Sequence, residues 1–576
     1  MDWLEWNDDA FALARERSAP VLLFLGASWC RFCKELDEFV LSDERVARVI
    51  TQRFVPIRVD KDRRPDIDAR YSKGGWPTLA YLDDQGELIA SDAYLEVDEL
   101  LPRLELIANY FAQSRGELKR RLSEADERPR AARARRGELD RELVDWVAKT
   151  VLETSDPVFG GWGREHKFPH FEAIDFALIR WSQTGDDAMR KLVLRTLRGM
   201  QQGEIHDKVE GGFYRYATQP DWSRPHYEKM LDSNAQRLFS YLEAYQAFGD
   251  ASFKKTAEGI LDWLVTTLLD RETGAFKGSQ DANPGYAHLA TRAARREFGA
   301  PACDPTIFAN WNAITVSSLF KAALVLGQEE VDVLALHALD FVLEELYDER
   351  HGVYHYWDGT YHLPGMLADQ AYTLRALVDA VQFTGENRYL EPARALASHA
   401  IETLSNHDEG GFWDLRHDPK AHGGLKRRTR SILENAVMAE ALLRLGLVSH
   451  ENDWAHKARE TLESFAADYK RYGHMVAGYA RAVDLFLHPP IHVIVVGPRA
   501  ASETTALRRA ALAPYVASRV VQVIDPAHDV ALLERSGFTA GKGGARAYLR
   551  RGRESYAETS DPARLPALLA RIERGS

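Results

Sequence analysis

Apolar and polar positions follow two different rhythms along this chain of 576 residues. In the first 113 residues, short continuous apolar runs at 20–26, 54–60 and 79–83 alternate with helical segments and turn residues. Continuous runs of this kind are typical of buried strands. A return strand at 87–90, after the turn at 83–86, adds a hairpin. The pattern predicts a βαβ unit followed by a β-hairpin.

From about residue 150 to 490 the apolar positions recur with helical spacing instead. Glycine–aromatic clusters separate the helical stretches, at 160–163, 211–214, 274–276, 352–354, 410–413 and 473–475. Their spacing of about 50 to 80 residues fits two helices and a loop per repeat. Six helical hairpins closing into a double ring predict an (α/α)6 barrel with a pocket at its loop end. The alternative, an open α-solenoid, would have shorter and more regular repeats.

The last segment returns to short strands and helices and predicts a small α/β appendix. Its glycine-rich stretch at 541–544 lacks the spacing of a phosphate-binding loop and indicates an ordinary flexible loop. A chain of this length exceeds what one core can support, so several domains are expected. We predict a redox-type α/β domain at 1–113, a charged helical connector at 114–149, the barrel at 150–490 and the appendix at 491–576.

A pair of cysteines follows the first apolar run and opens a predicted helix. Cys30 would stand at the helix N-terminus, where backbone N–H groups and the helix dipole stabilise a thiolate. Arg31 and Lys34 add positive charge beside it, and Cys33 would act as the resolving thiol. A zinc half-site is the alternative, but no second cysteine pair or local histidine pair supplies the remaining ligands. The spacing and its context favour thiol–disulfide chemistry.

Three further residues are expected to support this redox site. Trp29 precedes the first cysteine directly. Trp76 and Pro77 precede the predicted hairpin, and their peptide bond is a candidate for the cis form, which is almost confined to X–Pro bonds. Packed beside the dithiol, these side chains would shape its surroundings.

The loops of the predicted barrel are unusually rich in charged and aromatic residues, above all at 207–234. Glu228 and Asp232 are four residues apart, so one helical face would carry both carboxylates, and His226 stands just upstream as a base for neutral pH. We therefore take these three as candidate catalytic residues. The further candidates for binding in the barrel pocket are Trp162, Lys167, Asp207, Arg215, Tyr216, Trp222, Lys229, Asp281, Trp311, Asp369 and Glu434.

Structural roles are an open alternative for many of these residues. Arg215, Lys229 and Asp232 could belong to ion-pair networks that hold loops together, and the tryptophans could be core residues. Asp369 and Glu434 could be acidic residues that a helix N-terminus favours. Paired carboxylates would suit glycoside hydrolysis, whereas a histidine with a glutamate or tyrosine would suit sugar isomerisation by proton transfer.

Taken together, these motifs resemble a known family, the YyaL-like, spermatogenesis-associated proteins. The resemblance covers nearly the whole chain and rests on segments 30–33, 59–68, 75–77, 160–163, 167–169, 211–216, 225–231, 279–281 and 311–312. It implies a thioredoxin-like domain fused to a six-hairpin glycosidase-like barrel. Carbohydrate chemistry follows from that fold by analogy only, and no particular substrate is implied.

Composition narrows the partners. The net charge is −12 with both signs interspersed, which argues against nucleic acid, and the basic run at 128–136 indicates a solvated helix or linker. Three cysteines exclude a disulfide scaffold. The start of the chain lacks the basic and apolar regions of a signal peptide, and no run of about 20 apolar residues could span a bilayer. We expect a cytoplasmic protein without membrane partner, metal or cofactor.

Three functional hypotheses follow. The first is a thiol–disulfide oxidoreductase whose partners are a protein disulfide and a thioredoxin-reducing protein, with the barrel as a recognition unit. The second is a sugar-active enzyme, a glycoside hydrolase or an epimerase or isomerase, that binds a small sugar or oligosaccharide and is regulated by the redox domain. The third is a non-catalytic binding or scaffold protein.

Overall fold

The computed structural model describes residues 1–126, 136–538, 544–552 and 554–573. It divides into two compact units, Met1–Arg133 with Leu415–Thr429, and Ala134–Asp414 with Arg430–Ser576. The basic run at 128–136 and the glycine-rich loop at 541–544 lie almost wholly outside the described residues. Within the described part, no helix is long and apolar enough to cross a bilayer.

The first unit is an α/β domain with one four-stranded sheet. Its elements are α1 (Asp8–Arg17), β1 (Val21–Gly26), α2 (Arg31–Glu35, continued in wider turns by Leu36–Leu41), α3 (Glu44–Arg53), β2 (Val55–Asp60), α4 (Pro65–Tyr71), β3 (Thr78–Leu82), β4 (Leu88–Asp92) and α5 (Val97–Asp126). The strand order is β2-β1-β3-β4, with β1 parallel to β2 and antiparallel to β3. All of β1 is buried, because it is covered on both faces, and its sequence is therefore continuously apolar.

A segment from the second half of the chain, 415–429, also belongs to this unit. Gly424 N–H donates to the Tyr71 hydroxyl at 2.6 Å, and that hydroxyl donates to Gly86 O at 2.6 Å. The ring of His422 stacks on Phe11 at 4.3 Å. We call 415–429 the strap. The boundaries predicted from the sequence placed it in the barrel region.

The second unit is mainly helical. Its helices up to residue 487 are α6 (Arg141–Thr154), α7 (Phe171–Thr184), α8 (Asp187–Gln202), α9 (Leu231–Phe248), α10 (Ala251–Trp263, continued by Leu264–Leu268), α11 (Pro284–Ala287), α12 (Arg292–Phe298), α13 (Ala309–Leu326), α14 (Glu329–Glu345), α15 (Leu367–Thr384), α16 (Leu390–Leu404), α17 (Ile432–Ser449), α18 (Asp453–Glu463) and α19 (Ala477–Leu487). Short strands occupy the loops: β5 (Tyr216–Ala217), β6 (Pro225–His226), β7 (Lys229–Met230), β8 (Ser279–Gln280), β9 (Cys303–Asp304), β10 (Ile307–Phe308), β11 (Tyr347–Asp348), β12 (Gly352–Trp357) and β13 (Tyr361–Pro364).

Twelve of the described helices form two concentric rings. The inner helices α7, α9, α13, α15, α17 and α19 each pack on the next, and α19 packs on α7 and closes the ring. The outer helices α6, α8, α10, α14, α16 and α18 each pack on an inner neighbour. The predicted (α/α)6 barrel is confirmed, and the closed ring excludes an open solenoid. Part of the predicted connector at 114–149 turns out to be α6, the first outer helix.

A repeated carboxamide clamp anchors four of the six glycine–aromatic clusters. Asn435, in the first turn of α17, accepts the N–H of Phe412 at 2.7 Å and donates to its carbonyl at 3.0 Å. Corresponding pairs join Asn234 to Phe213, Asn312 to Phe276 and Gln370 to Val353. Each clamp ties a loop to the start of an inner helix. The repeat in the sequence is therefore a repeat of loop anchoring.

The rest of the second unit is an α/β region. It comprises β14 (Ile491–Val496), α20 (Ser502–Leu512), β15 (Arg519–Ile524), α21 (Val530–Ser536), β16 (Arg546–Arg551), β17 (Glu554–Thr559) and α22 (Leu565–Glu573). Its sheet has the order β15-β14-β16-β17. β15 packs on α15 and α17, where Gln522 donates to Val448 O and Gln382 accepts from Val521 N. Since Val448 and Gln382 lie near the carboxyl ends of their helices, this region covers that end of the inner ring.

Candidate functional sites

The dithiol lies where β1 passes into α2. Cys30 is the N-cap of α2, and its sulfur accepts the N–H of Cys33 at 3.3 Å. Both side chains are buried, with Cys30 5% and Cys33 4% exposed. A sulfur held at a helix N-terminus by a backbone N–H is stabilised as a thiolate.

The two cysteines differ in their hold on a proton. A hydrogen bond with Cys30, reinforced by burial, raises the pKa of Cys33 well above its ordinary value. Cys33 therefore holds its proton more tightly than an ordinary thiol does.

Aromatic and acidic side chains surround the pair. Trp29 Nε1 donates to Asp62 at 2.6 Å, and Trp76 Nε1 donates to Asp68 at 2.7 Å. Lys61 binds Asp62 at 2.5 Å and lies 4.7 Å from the Trp76 ring centroid. Burial raises the pKa of Asp68.

The other two residues predicted to support the redox site are Pro77 and Arg31. The Trp76–Pro77 peptide bond is cis. Arg31 lies on the outer surface of α2, where its side chain is 60% exposed and binds Glu35 at 2.7 Å. Arg31 is therefore engaged with its own helix.

In the barrel, the structure places three predicted binding residues in loop-anchoring ion pairs. Lys167 binds Asp156 at 2.6 Å and donates to Gly160 O, and Lys229 binds Asp207 at 2.5 Å and donates to Gly211 O at 2.8 Å. The two aspartates also accept N–H groups of their own loops. Each lysine thus closes a glycine loop.

Asp207 has a second cation beside it, since Arg295 binds it at 2.7 Å. Burial alone would raise the pKa of Asp207, but Lys229 and Arg295 lower it to about 2. Asp207 is therefore a negatively charged member of an ion-pair network that holds loops together. Such a network is the structural role that the sequence left open for its partner Lys229.

The predicted tryptophans are mostly packed inside. Trp162 and Trp222 are 1% and 0% exposed, and their Nε1 atoms donate to Val151 O and Phe159 O at 3.0 Å. Trp311 is half-buried against Phe308, with ring centroids 4.5 Å apart. The two fully buried indoles are core residues in these contacts.

Two of the three candidate catalytic residues, His226 and Glu228, lie near each other. The ring of His226 stacks on Tyr216 at 4.4 Å, and its Nδ1 lies 3.8 Å from Glu228 Oε1. Glu228 is 3% exposed, and its Oε2 has no hydrogen-bond partner among the described residues. The backbone carbonyl of Arg215, another candidate, accepts from Arg237 at 3.0 Å.

Three of the four remaining candidates stand in the first turns of inner helices, and the fourth follows a short strand in a loop. Asp369 is fully buried and lies 3.0 Å from His355 Nδ1, a histidine in β12 that the sequence did not single out. Asp232 and Glu434 are half-buried in the first turns of α9 and α17, and Asp281 is half-buried just after β8. The sequence signal available for that pair was His355 itself, a single histidine within the aromatic run of β12.

A cavity of about 160 Å³ runs inside the inner ring. We call it the bore. All six inner helices line it, together with residues between α20 and β15. Its charged lining residues are Glu172, Asp175, Glu243, Lys321, Arg375, Asp379, Glu440, Arg444, Arg481 and Arg519. None of the barrel residues predicted from the sequence is among the residues that line it.

Most of these charges are paired. Glu440 binds Arg444 and Arg481, each at 2.8 Å, and Lys321 binds Glu243. Burial would raise the pKa of Glu440, but the two arginines lower it to about 2. In these pairs, the charges on most of the bore wall neutralise one another.

Four polar lining residues are different. Glu172 in α7, Gln236 in α9, and Tyr372 and Arg375 in α15 make no hydrogen bond, and no ion pair within 4 Å, among the described residues. The guanidinium of Arg375 lies over the Tyr372 ring at 4.9 Å, and at longer range the charges of Arg375 and Glu172 act on Glu440 and Arg481. They offer a carboxylate, a carboxamide, a hydroxyl and a guanidinium to one small volume. Such a set suits a polar ligand with several hydroxyl or acidic groups.

A sequence signal for the bore existed. Polar residues recur at helical spacing inside otherwise apolar helices, as at Tyr372, Arg375 and Asp379 in α15. Positions three or four apart share a helix face, so one face of α15 is polar although the helix is buried all around. The residues predicted from the sequence do not include this face of α15.

Fold and site together define a thioredoxin-like domain fused to an (α/α)6 barrel. The Thioredox_DsbH family model, described as a protein of unknown function (DUF255), matches residues 1–128. Human spermatogenesis-associated protein 20 is 24% identical over 660 residues, which cover 91% of this chain and 84% of the human protein. The chain is a homologue of that protein along nearly its whole length, and the resemblance that its motifs predicted is confirmed.

Two further likenesses concern single domains. Thiol:disulfide interchange protein DsbD of Campylobacter jejuni (strain RM1221) is 31% identical over 90 residues, 15% of this chain and 16% of that protein. The crystal structure of a sugar epimerase from a ruminal bacterium is similar with a TM-score of 0.49 and 14% identity, over 60% of this chain and 97% of that one. The barrel itself is established by its own helix packing.

Proposed function

We propose that this protein is a thiol–disulfide oxidoreductase that acts through Cys30 and Cys33. The observation that carries the proposal is the position of Cys30 as N-cap of α2, with the Cys33 N–H on its sulfur. The local similarity to a thiol:disulfide interchange protein supports it. A cytoplasmic location, where a reducing pool keeps thiols reduced, fits the direction of disulfide reduction.

The exchange proceeds in three balanced steps. The Cys30 thiolate attacks one sulfur of a disulfide in a partner protein, the partner's S–S bond breaks, and its second sulfur leaves as a thiolate. That thiolate takes the proton of Cys33. Cys33 then attacks the Cys30 sulfur and expels the first partner sulfur, so the partner gains two electrons and Cys30–Cys33 becomes a disulfide. A dithiol reductant protein restores the pair.

Reduction of insulin disulfides, with dithiothreitol as reductant, tests this function. Cys30→Ser should abolish the activity. Cys33→Ser should lose turnover and, when mixed with insulin after removal of the dithiothreitol, should accumulate a mixed disulfide on Cys30 that is visible by mass spectrometry. Cys303→Ser removes the remaining cysteine, which lies in the barrel unit beside Thr267 O, and should leave the rate unchanged. Retained activity in Cys30→Ser, or trapping on Cys33 instead of Cys30, would contradict the proposal.

A second candidate function belongs to the barrel, which we propose binds a carbohydrate or sugar acid in the bore. The four bore residues without hydrogen-bond partners support it, because their donors and acceptors match a polyhydroxy ligand. The set at His226, Glu228 and Asp232 is the competing location that the sequence favours. Hydrolysis and isomerisation both remain compatible with a binding site of this composition.

A thermal-shift screen separates the two locations. The Cys30→Ser/Cys33→Ser protein is screened against monosaccharides, oligosaccharides and sugar acids, since a ligand of the native state raises Tm by mass action. A shift lost in Glu172→Gln and Arg375→Ala but kept in Glu228→Gln assigns the ligand to the bore. The reverse pattern assigns it to the loops. No shift across the panel would overturn carbohydrate binding and favour the barrel as a protein-binding scaffold.

A further inference from the structure

We propose that residues 491–573 form a second thioredoxin-like domain, which has lost its dithiol and serves instead to close the bore. The pairing of its strands supports the fold, and its residues in the wall of the bore support the role.

The order and pairing of elements are the same in both regions. The N-terminal sheet has the order β2-β1-β3-β4, and the C-terminal sheet has β15-β14-β16-β17. In each, the first strand is parallel to the second and antiparallel to the third, and the third is antiparallel to the fourth. A helical segment follows the first, second and fourth strands in both. Apart from α3, an additional helix between the first two strands of the N-terminal domain, both regions therefore follow one β-α-β-α-β-β-α path.

The agreement extends to individual hydrogen bonds. In the first domain Asp60 ends β2, opposite Gly26 at the end of β1, and its carboxylate accepts Ser28 N–H at 2.8 Å. In the second, Asp525 follows β15, and its carboxylate accepts Arg499 N–H at 2.9 Å. Ser28 is two residues beyond Gly26, and Arg499 is two residues beyond Gly497.

The same aspartates also accept from the backbone two residues onward. Asp62 N–H donates to Asp60 at 2.8 Å, and Ala527 N–H donates to Asp525 at 2.9 Å. An aspartate in this double role at the end of the second strand is a specific arrangement. It fixes the alignment of the two regions residue by residue.

This alignment identifies what stands in place of the dithiol. Cys30 is the N-cap of α2, and Ala501 is the N-cap of α20. Cys33 corresponds to Thr504, which is 1% exposed. A Cβ on Gly26 would lie 3.5 Å from Cys33 Sγ, and a Cβ on Gly497 would lie 2.7 Å from Thr504 Oγ1. The threonine hydroxyl thus occupies the place of the resolving sulfur.

The second domain can therefore carry no disulfide exchange. Its segment contains no cysteine, since the three cysteines of the chain are Cys30, Cys33 and Cys303. Ala545 takes the place of Pro77, one residue before the third strand. A fold kept without its chemistry needs another role.

The bore supplies that role. Val516 and Ala517, between α20 and β15, line it together with Arg519, the first residue of β15. Arg519 holds this connection together by donating to Leu512 O at 3.1 Å and Pro514 O at 2.8 Å. The hydroxyl of the neighbouring Tyr515 is buried, and burial, followed by the charges of Glu243 and Asp175, raises the pKa of this hydroxyl well above the ordinary value.

The fold is tested by rebuilding the dithiol. Ala501→Cys/Thr504→Cys is made in the Cys30→Ser/Cys33→Ser protein and equilibrated with glutathione buffers. The domain should form a reversible intramolecular disulfide, with Tm within about 3 °C of the parent and restored insulin reduction. Thr291→Cys/Ala294→Cys, at the N-terminus of α12, is the matched control and should give no insulin reduction, because α12 follows another helix, α11, and not a sheet strand. Failure to oxidise, or activity equal to the control, would overturn the assignment of fold.

The role is tested by access to the bore, without any ligand. Ser318→Cys, at a buried lining position of α13, is introduced into a protein whose three cysteines are serine. Arg519→Ala should increase its labelling rate with methyl methanethiosulfonate at least tenfold. Arg509→Ala, an exposed residue of α20 that binds Glu329, should leave the rate unchanged. Equal rates in Arg519→Ala and the parent would overturn the role while leaving the assignment of fold and the redox function intact.

Discussion

Arg481 lies beside two carboxylates of the bore, Glu440 and Asp175, whose pKa values are shifted in opposite directions. It binds Glu440 at 2.8 Å, whereas Asp175 is 3.9 Å away. Burial raises the pKa of Asp175 to about 7, with only partial compensation from Arg481. Since Glu440 has a pKa of about 2, the two acids should make contributions of opposite sign to the pH dependence of stability.

The pH dependence can be measured with Asp175→Asn. Between about pH 4 and 7 the folded protein holds a proton on Asp175 that the unfolded chain has released, so stability falls as pH rises through this window. The asparagine variant lacks this fall, so its free energy of unfolding should gain on the parent by up to roughly 4 kcal/mol between pH 4 and 8. Urea denaturation at both pH values measures it.

Glu440→Gln is the matched control with the opposite sign. The lowered pKa of Glu440 contributes stability above about pH 4.5 that is lost as pH falls toward 2. Removing this charge takes away the carboxylate nearest to Arg481 and Arg444 and leaves them only Asp175 at 3.9 Å and Asp379 at 3.7 Å, so it should cost about 3 to 5 kcal/mol at pH 7. Equal effects of the two substitutions at pH 7 would contradict the assigned pKa directions.

At the scale of elements, the carboxamide clamps should carry much of the stability of the loops. Asn435→Ala leaves the buried N–H and carbonyl of Phe412 without their side-chain partners. Each unpaired buried group costs about 1 to 3 kcal/mol, so we expect a loss of about 3 kcal/mol in urea denaturation. Asn7→Ala removes an exposed N-cap bond to Ala10 N–H and should cost about 1 kcal/mol. Similar losses in both variants would refute a special role for the clamp.

The strap depends on one glycine. Gly423 has a φ of +50°, and a Cβ there would lie 1.9 Å from Gly86 O. Gly423→Ala should therefore displace the strap, and trypsin should cleave after Lys420 or Lys426 at least tenfold faster. Gly185→Ala has a φ of +71° but no neighbour within 4 Å of the new Cβ. This control bears the same backbone strain, so faster cleavage in both variants would exclude steric displacement as the cause.

At the scale of the whole molecule, the barrel and the C-terminal region share one hydrophobic core. Ile494, Val496, Val520 and Ile524 cluster with residues of the inner helices. Ile524→Ala, at a fully buried position, should cost about 2 to 5 kcal/mol and speed hydrogen exchange in peptides of both α13 and β14. Ile57→Ala, equally buried in the core of the first unit, should leave those peptides unchanged. Faster exchange confined to β14 would show that the two regions unfold separately.

The sequence by itself determined what depends on neighbouring residues. The apolar runs predicted at 20–26, 54–60 and 79–83 agree within one residue at each end with β1, β2 and β3. The dithiol and the six glycine–aromatic repeats could also be recognised in the sequence, because turns, helix caps and helix faces are each encoded over a few neighbouring residues. The class of fold followed from their order.

Only the tertiary structure decided which polar residues are free to act. Lys167 and Lys229 looked like ligand-binding residues until folding joined them to Asp156 and Asp207. β17 has an exposed, charged sequence and was not predicted, although it completes the second thioredoxin-like sheet. The bore brings Glu172 and Arg375 together across about 200 residues of sequence. Such meetings depend on how the helices close into a ring, and no local pattern of residues specifies that closure.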